Sequence, residues 1–216
     1  MGSPAPAPAP APVSIDDDLA DLKWAAFWEK HHKTIIVAAI AVVVLLVGTG
    51  TFFAMSAARD QAAADAFAVA RDAAAWQKVI AEYPDTVPAG NALLLLAGSQ
   101  RATGTLAESN ATYEQLLSRQ PRHPLAGSAL LGIATNELAA GKPAEAVATY
   151  EKAESQFAKQ YAAPVALYLE AQVFLAEGKQ NEALPLLERF ASSYAESIAA
   201  SAASAQATQL RGALGM

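Results

Sequence analysis

The chain contains no cysteine. That excludes disulfide scaffolds, zinc–thiolate sites, iron–sulfur clusters and cysteine nucleophiles. It leaves the redox compartment open. Charge is scarce too: Asp, Glu, Lys and Arg make up 17% of the residues, against 53% hydrophobic. Such a balance belongs to a membrane-associated or Ala-rich helical chain, not a disordered one. The net charge is −6, with no basic patch to neutralise phosphates, so a general nucleic-acid binder is excluded. Beyond residue 56 the only histidine is His123, in RQPRHPL, where a solvated loop residue is expected. There is no His-Glu-x-x-His, no Gly-x-Ser-x-Gly, no Walker lysine and no dinucleotide glycine fingerprint. The sequence therefore reads as a non-enzyme without catalytic residues, metal, cofactor or small-molecule substrate.

What is present begins with one uncharged run. Thr34 to Met55, TIIVAAIAVVVLLVGTGTFFAM, has 22 residues, 12 of them Ile, Val, Leu or Phe. As a helix it reaches about 33 Å, against a hydrocarbon core of about 30 Å. Insertion gains on the order of 4–7 kcal/mol at most. Lys23, Lys30 and Lys33 precede the run and Arg59 is the one near cation after it, which favours a cytoplasmic N-terminus. Trp24, Phe27 and Trp28 suit an aromatic belt on the entry side. A cleaved signal peptide is the rival reading, with Ala54-Met55-Ser56 or Ser56-Ala57-Ala58 as the cleavage site. The run exceeds the usual apolar core of such peptides, and 33 residues precede it, so an uncleaved anchor is expected.

Residues 1–13 hold an alternating Pro-Ala stretch, expected to be a disordered, extended spacer. Residues 14–33 predict a juxtamembrane amphipathic helix. Ser14 serves as N-cap, Asp16, Asp17 and Asp18 meet the positive end of the helix dipole, and Ile15, Leu19, Leu22 and Ala26 recur at helical spacing. His31 and His32 are adjacent, so on a helix they point about 100° apart and do not share a ligand.

Residues 56–216 carry 12 Lys+Arg and 16 Asp+Glu, net −4, and no run that reads as a strand. They repeat. Gly104, Gly141 and Gly178 are spaced by 37, and aligning on them brings other columns into register. Leu93, Leu130 and Leu167 match, as do Ala97, Ala134 and Ala171. After the glycine come Glu108, Glu145 and Glu182, then Ser109, Ala146 and Ala183. Tyr113, Tyr150 and Leu187 follow, then Leu116, Ala153 and Phe190. This predicts a helix–turn–helix unit in which Leu and a small Ala share one face and the glycine stops the first helix. Pro143 falls in the first turn of a second helix, where its missing N–H is harmless. Pro185 lies deeper and is expected to distort that start. In weaker form the period reaches back to WQKVIAEYP after a first helix over about 57–71, and forward to a closing helix over 198–214 with Gly215 behind it. The fold class is all-α: one N-terminal transmembrane helix over 34–55, then a right-handed α-solenoid of about three and a half hairpins plus a closing helix. The alternative is a plain Ala-rich bundle with coincident glycines. Asn110-Ala111-Thr112 is a formal glycosylation triplet inside a predicted helix and is discounted.

The series Leu93, Ala97, Gly104, Ser109, Tyr113, Leu116 and Pro121 resembles a tetratricopeptide repeat, with a period of 37 in place of the family's 34. The closing proline is absent from the units ending near Ala158 and Ala195. The whole layout of tail, anchor and repeat domain is similar to the YfgM-like tetratricopeptide proteins of bacteria, although the Pro-Ala tail lies outside their pattern. The resemblance implies an inner-membrane protein with a cytoplasmic N-terminus and a periplasmic repeat domain. It implies an ancillary subunit of the Sec translocon that links secreted polypeptides to periplasmic chaperones. It also implies a partner groove lined by Asn91, Leu94, Arg101, Ser128, Leu131, Thr135, Tyr168 and Gln172. These residues make a mostly apolar or neutral groove, suited to a helix or an extended segment. Leu94 and Leu131 fit packing between helices equally well. A scaffold for envelope or division complexes, with no translocon role, is the other reading.

Overall fold

A computed structural model describes the backbone of residues 15–215 and the side chains of 23–215. The Pro-Ala tail, the Ser14 cap and the side chains of the acidic triplet lie outside the described residues. Among those described there are nine helices and no strand. They are α1 (Ile15–Val69), α2 (Ala73–Glu82), α3 (Val87–Ala102), α4 (Leu106–Arg119), α5 (Ala126–Ala139), α6 (Pro143–Gln156), α7 (Ala162–Ala176), α8 (Gln180–Ser193) and α9 (Ala200–Leu214). The chain divides between Ser56 and Ala57 into two compact units.

In the first unit the apolar run of α1 stays uncovered: Val37 is 67% exposed, Leu45 66% and Phe53 70%. Among the described residues α1 is the one helix long and apolar enough to cross a membrane. Its polar groups are satisfied within the helix. The Thr49 hydroxyl donates to the Leu45 carbonyl at 2.8 Å and the Thr51 hydroxyl to that of Val47 at 3.0 Å. An α-helix closed on itself in this way carries its backbone into lipid without orphaned donors. Trp24 and Phe27 stack with ring centroids 5.7 Å apart.

In the second unit each helix from α2 onward packs on the next, and α5 also touches α3 and α7. First helices of successive units are therefore neighbours. That is the connectivity of a solenoid, in which each repeat meets only its neighbours. The columns of the 37-residue period supply the core. Leu93, Leu130 and Leu167 are almost fully buried, and Ala97, Ala134, Ala171, Ser109, Ala146 and Ala183 are completely so. Tyr113, Tyr150 and Leu187 fill the space behind them. Where the second unit's Ala146 has no polar group, Ser109 donates its buried hydroxyl to the Ala97 carbonyl at 2.8 Å.

The turns follow from backbone chemistry. Gly104, Gly141, Gly178 and Gly215 adopt φ of +82°, +75°, +73° and +70°. A left-handed residue at this place lets the chain reverse while two orphaned carbonyls are capped. The Thr105 N–H reaches the Gln100 carbonyl at 2.9 Å, Lys142 reaches Glu137 at 2.9 Å and Lys179 reaches Phe174 at 2.8 Å. Second helices start with an acid in the first turn, namely Glu108, Glu145 and Glu182. Lys142 pairs with Glu145 at 2.9 Å. Pro143 is the first residue of α6.

Two details differ from the sequence expectation. Helix α8 runs unbroken through Pro185. Asn181, whose carbonyl cannot be reached by an N–H from Pro185, lies near the start of the helix and is exposed. His123 is not solvated but only 4% exposed. Its ring covers Gly90, where an added Cβ would come within 2.5 Å of it. The Leu125 N–H donates to Nδ1 at 3.1 Å, which leaves the hydrogen on Nε2 to be donated to the Val87 carbonyl at 3.2 Å. The loop histidine thus ties the end of the α3–α4 pair to the start of α3.

Two substitutions test this packing by chemical denaturation of the full chain. Ala134→Leu overpacks the seam between α5 and α6 and costs about 1–3 kcal/mol. Gly141→Ala places a Cβ at a left-handed φ and costs about 1–2 kcal/mol. An unchanged midpoint for Ala134→Leu would place the residue outside the seam.

Candidate partner-binding surface

The residues assigned to a groove lie on first helices: Asn91, Leu94 and Arg101 on α3, Ser128, Leu131 and Thr135 on α5, Tyr168 and Gln172 on α7. All are half-buried except Arg101, which is exposed in the last turn of α3. Leu94 and Leu131 pack against the core of the stack. The Thr135 hydroxyl donates to the Leu131 carbonyl at 2.7 Å and also meets the Tyr150 phenol of α6, so its polarity is engaged within the stack. Gln172 donates through Nε2 to Gln206 on α9 at 3.2 Å. Tyr168 packs against Phe190 with the rings tilted by 52° and their centroids 5.3 Å apart. It also lines an apolar cavity of about 260 Å³ that it shares with Tyr161, Pro164, Val165 and Phe190.

The more unusual chemistry lies elsewhere. Glu170 of α7 is only 4% exposed, and its Oε2 has no hydrogen-bond partner among the described residues. Burial pushes its pKa from 4.5 up to about 7. The nearby Glu151 carboxylate adds to the rise, Arg189 opposes it and Glu154 adds a little more. Asn136 on α5 is a second buried polar group, engaged on one side only: Nδ2 donates to Ser109 Oγ at 2.9 Å and to Asn110 Oδ1 at 2.6 Å, while its Oδ1 has no partner among the described residues. Burial likewise raises the phenols of Tyr113 and Tyr150 above 10, the Thr135 hydroxyl partly offsetting it at Tyr150. Among the described residues no cluster of three or more His, Asp or Glu is placed to hold a metal ion.

The sequence reading passed over Glu170, Asn136 and the burial of His123. A signal for Glu170 was present. The 37-residue period puts it in the column of Leu96 and Ile133, both core residues, 7% and 8% exposed. A carboxylate in a column of aliphatics is the irregularity to look for.

Stacked two-helix units that present their first helices along one side define a protein-interaction scaffold, a fold that is typically non-catalytic. The chain belongs to the tetratricopeptide repeat-like domain family, whose model matches residues 25–213. Among solved structures it is similar to a kinesin light chain candidate of Podospora anserina with nearly identical TPR-like repeats. That match has a TM-score of 0.51 at 19% identity and covers 73% of this chain and 86% of the other. A single-residue variant of the same fungal protein gives a TM-score of 0.51 at 19% identity, covering 73% and 85%. At this identity the likeness is one of fold. Among curated proteins none matches the sequence significantly.

The Glu170 carboxyl makes stability depend on pH with a definite sign. Its folded pKa of about 7 lies above the ordinary 4.5, so between these values the folded chain binds more protons than the unfolded one. Stability contributed by the neutral carboxyl is complete below pH 4.5 and is lost as pH rises to 7, by at most about 1.4 kcal/mol per unit. Glu170→Leu is expected to flatten the fall in Tm between pH 5 and pH 8 and to raise Tm at pH 8. Parallel curves for the two proteins would contradict the assignment.

Proposed function

We propose that this protein is a single-pass membrane-anchored interaction scaffold, with residues 34–55 of α1 in the bilayer and the repeat domain gathering polypeptide partners. One observation carries the reading: a 22-residue uncharged run with no burial lies in the same chain as a stack of short helix pairs. An uncovered apolar surface of that size demands lipid or protein cover. The lysines before the run support a cytoplasmic N-terminus and a repeat domain on the far side. In a bacterium that side is the periplasm. The resemblance to the YfgM-like proteins favours a place beside the Sec translocon, where the domain would hand secreted polypeptides to periplasmic chaperones. Its first-helix face, with Asn91, Ser128 and Tyr168 half-buried along it, offers side chains of low charge to an extended or helical segment.

Alkaline-phosphatase fusions after Ala58 and before Trp24 test the orientation. Activity is expected in the fusion after Ala58, and activity only in the N-terminal fusion would reverse the topology. Co-purification in mild detergent tests the placement. Recovery of the translocon pore is expected, and recovery only of cell-wall or outer-membrane machinery would move the protein to envelope assembly.

A further inference from the structure

Second helices of alternating position leave clefts between them, floored by the first helix that lies beneath. Two such clefts are related by the repeat. The earlier one, about 510 Å³, lies between α2 and α4 and has Gln77, Ile80, Leu96 and Gln115 in its lining. The later one, about 540 Å³, lies between α6 and α8 and has Glu151, Glu154, Glu170 and Arg189 at the places 74 residues on. The geometry recurs but the chemistry does not. At these four places neutral and aliphatic side chains give way to three carboxylates and one guanidinium, while the earlier cleft's one charged lining residue is a cation, Arg119.

Within the later cleft the guanidinium is already committed. Arg189 Nη2 donates to Glu154 Oε2 at 2.8 Å on the rim. Glu151 is exposed, and Glu170, 4% exposed as a residue, lines the floor with its unpartnered Oε2 buried. The fold does not need a carboxylate there, since Leu96 and Ile133 occupy the same column in the two earlier units. A buried carboxylate without a partner is costly, whereas an aliphatic side chain is not. Such a departure from local packing rules belongs to a site that meets something outside the chain.

We propose that the cleft between α6 and α8 receives the lysine or arginine side chain of a polypeptide partner, which ion-pairs with Glu170 at the floor and Glu151 at the rim. The surroundings select a polypeptide over a free cation. Tyr194 lines both this cleft and a neighbouring recess of about 690 Å³ walled by Tyr161, Pro164 and Ile198. In that recess Ile198 is 100% exposed and Tyr161 80%. A basic side chain in the cleft thus has apolar neighbours waiting for the residues beside it. The domain's net charge of −4 favours the same partner at longer range. The site lies apart from the first-helix face. It rests on the reading of the domain as a binder of polypeptides and adds the chemistry it selects. Binding is linked to proton release, because Glu170 must be ionised to pair while Glu151, Glu154 and Arg189 face it.

The test uses the full chain in nanodiscs and two fluorescein-labelled, amidated pentapeptides, Ser-Leu-Arg-Leu-Ser and Ser-Leu-Gln-Leu-Ser, read by anisotropy. At pH 8 the arginine peptide is expected to bind at least tenfold more tightly. Lowering the pH to 6 should weaken it by about tenfold, as the proton returns to Glu170. Glu170→Leu should abolish the preference while folding at least as stably, and Glu114→Gln on the exposed side of α4 should leave it unchanged. Equal affinity for the two peptides, or an unaltered preference in Glu170→Leu, overturns the proposal. Displacement of the arginine peptide by equimolar putrescine or calcium overturns the choice of a polypeptide. If neither peptide binds while protein partners still co-purify, the cleft assignment fails and the scaffold function stands. If partners are lost as well, both fail.

Discussion

The second unit depends on one close approach, that of each first helix to the second helix of its own pair. Ser109 bonds across to Ala97, and Ala134, Ala146, Ala171 and Ala183 hold the matching places in the next two packed pairs, all six without solvent exposure. Small side chains let the backbones draw together, and the larger Leu, Tyr and Phe columns then seal both sides. Interior packing at this density leaves little slack, so the period of 37 is preserved where the seam is and relaxed elsewhere. The exposed faces vary freely among the three copies, and the chemistry of binding is written there.

Much of the architecture was legible because it is encoded at short range. A glycine that stops a helix, an acid that starts the next and a small residue at the seam each act within about a dozen positions. Gly104, Gly141 and Gly178 mark the bends in the sequence, and they hold positive φ in the structure. What was not legible is set by packing rather than by neighbours in the sequence. His123 reads as a loop residue, yet its ring is buried over Gly90, 33 positions earlier. No local pattern announces such a lid. Pro185 reads as a disturbance, yet α8 passes through it near its exposed start.

The candidate site shows the same division. Positions on the first helices follow from the repeat, but their availability does not. Leu94, Leu131, Thr135 and Gln172 are each engaged by the protein's own core or backbone or by a neighbouring helix. Glu170 was hidden for the opposite reason. A glutamate in a helix looks ordinary until its column mates are known to be buried, and only the packing turns it into an unpaired acid with a raised pKa.

The capped glycine bends carry a further implication for how the domain is made. Nearly all its packing joins segments adjacent along the chain, and each reversal is closed by its own backbone bonds. Topologies of this kind have low contact order and fold fast. A polypeptide emerging from a narrow exit, amino end first, can finish each pair of rods as soon as it clears, with no wait for distant segments. Acquisition of structure is then ordered outward from the apolar end of the molecule, and the last rod serves as a lid over the growing stack.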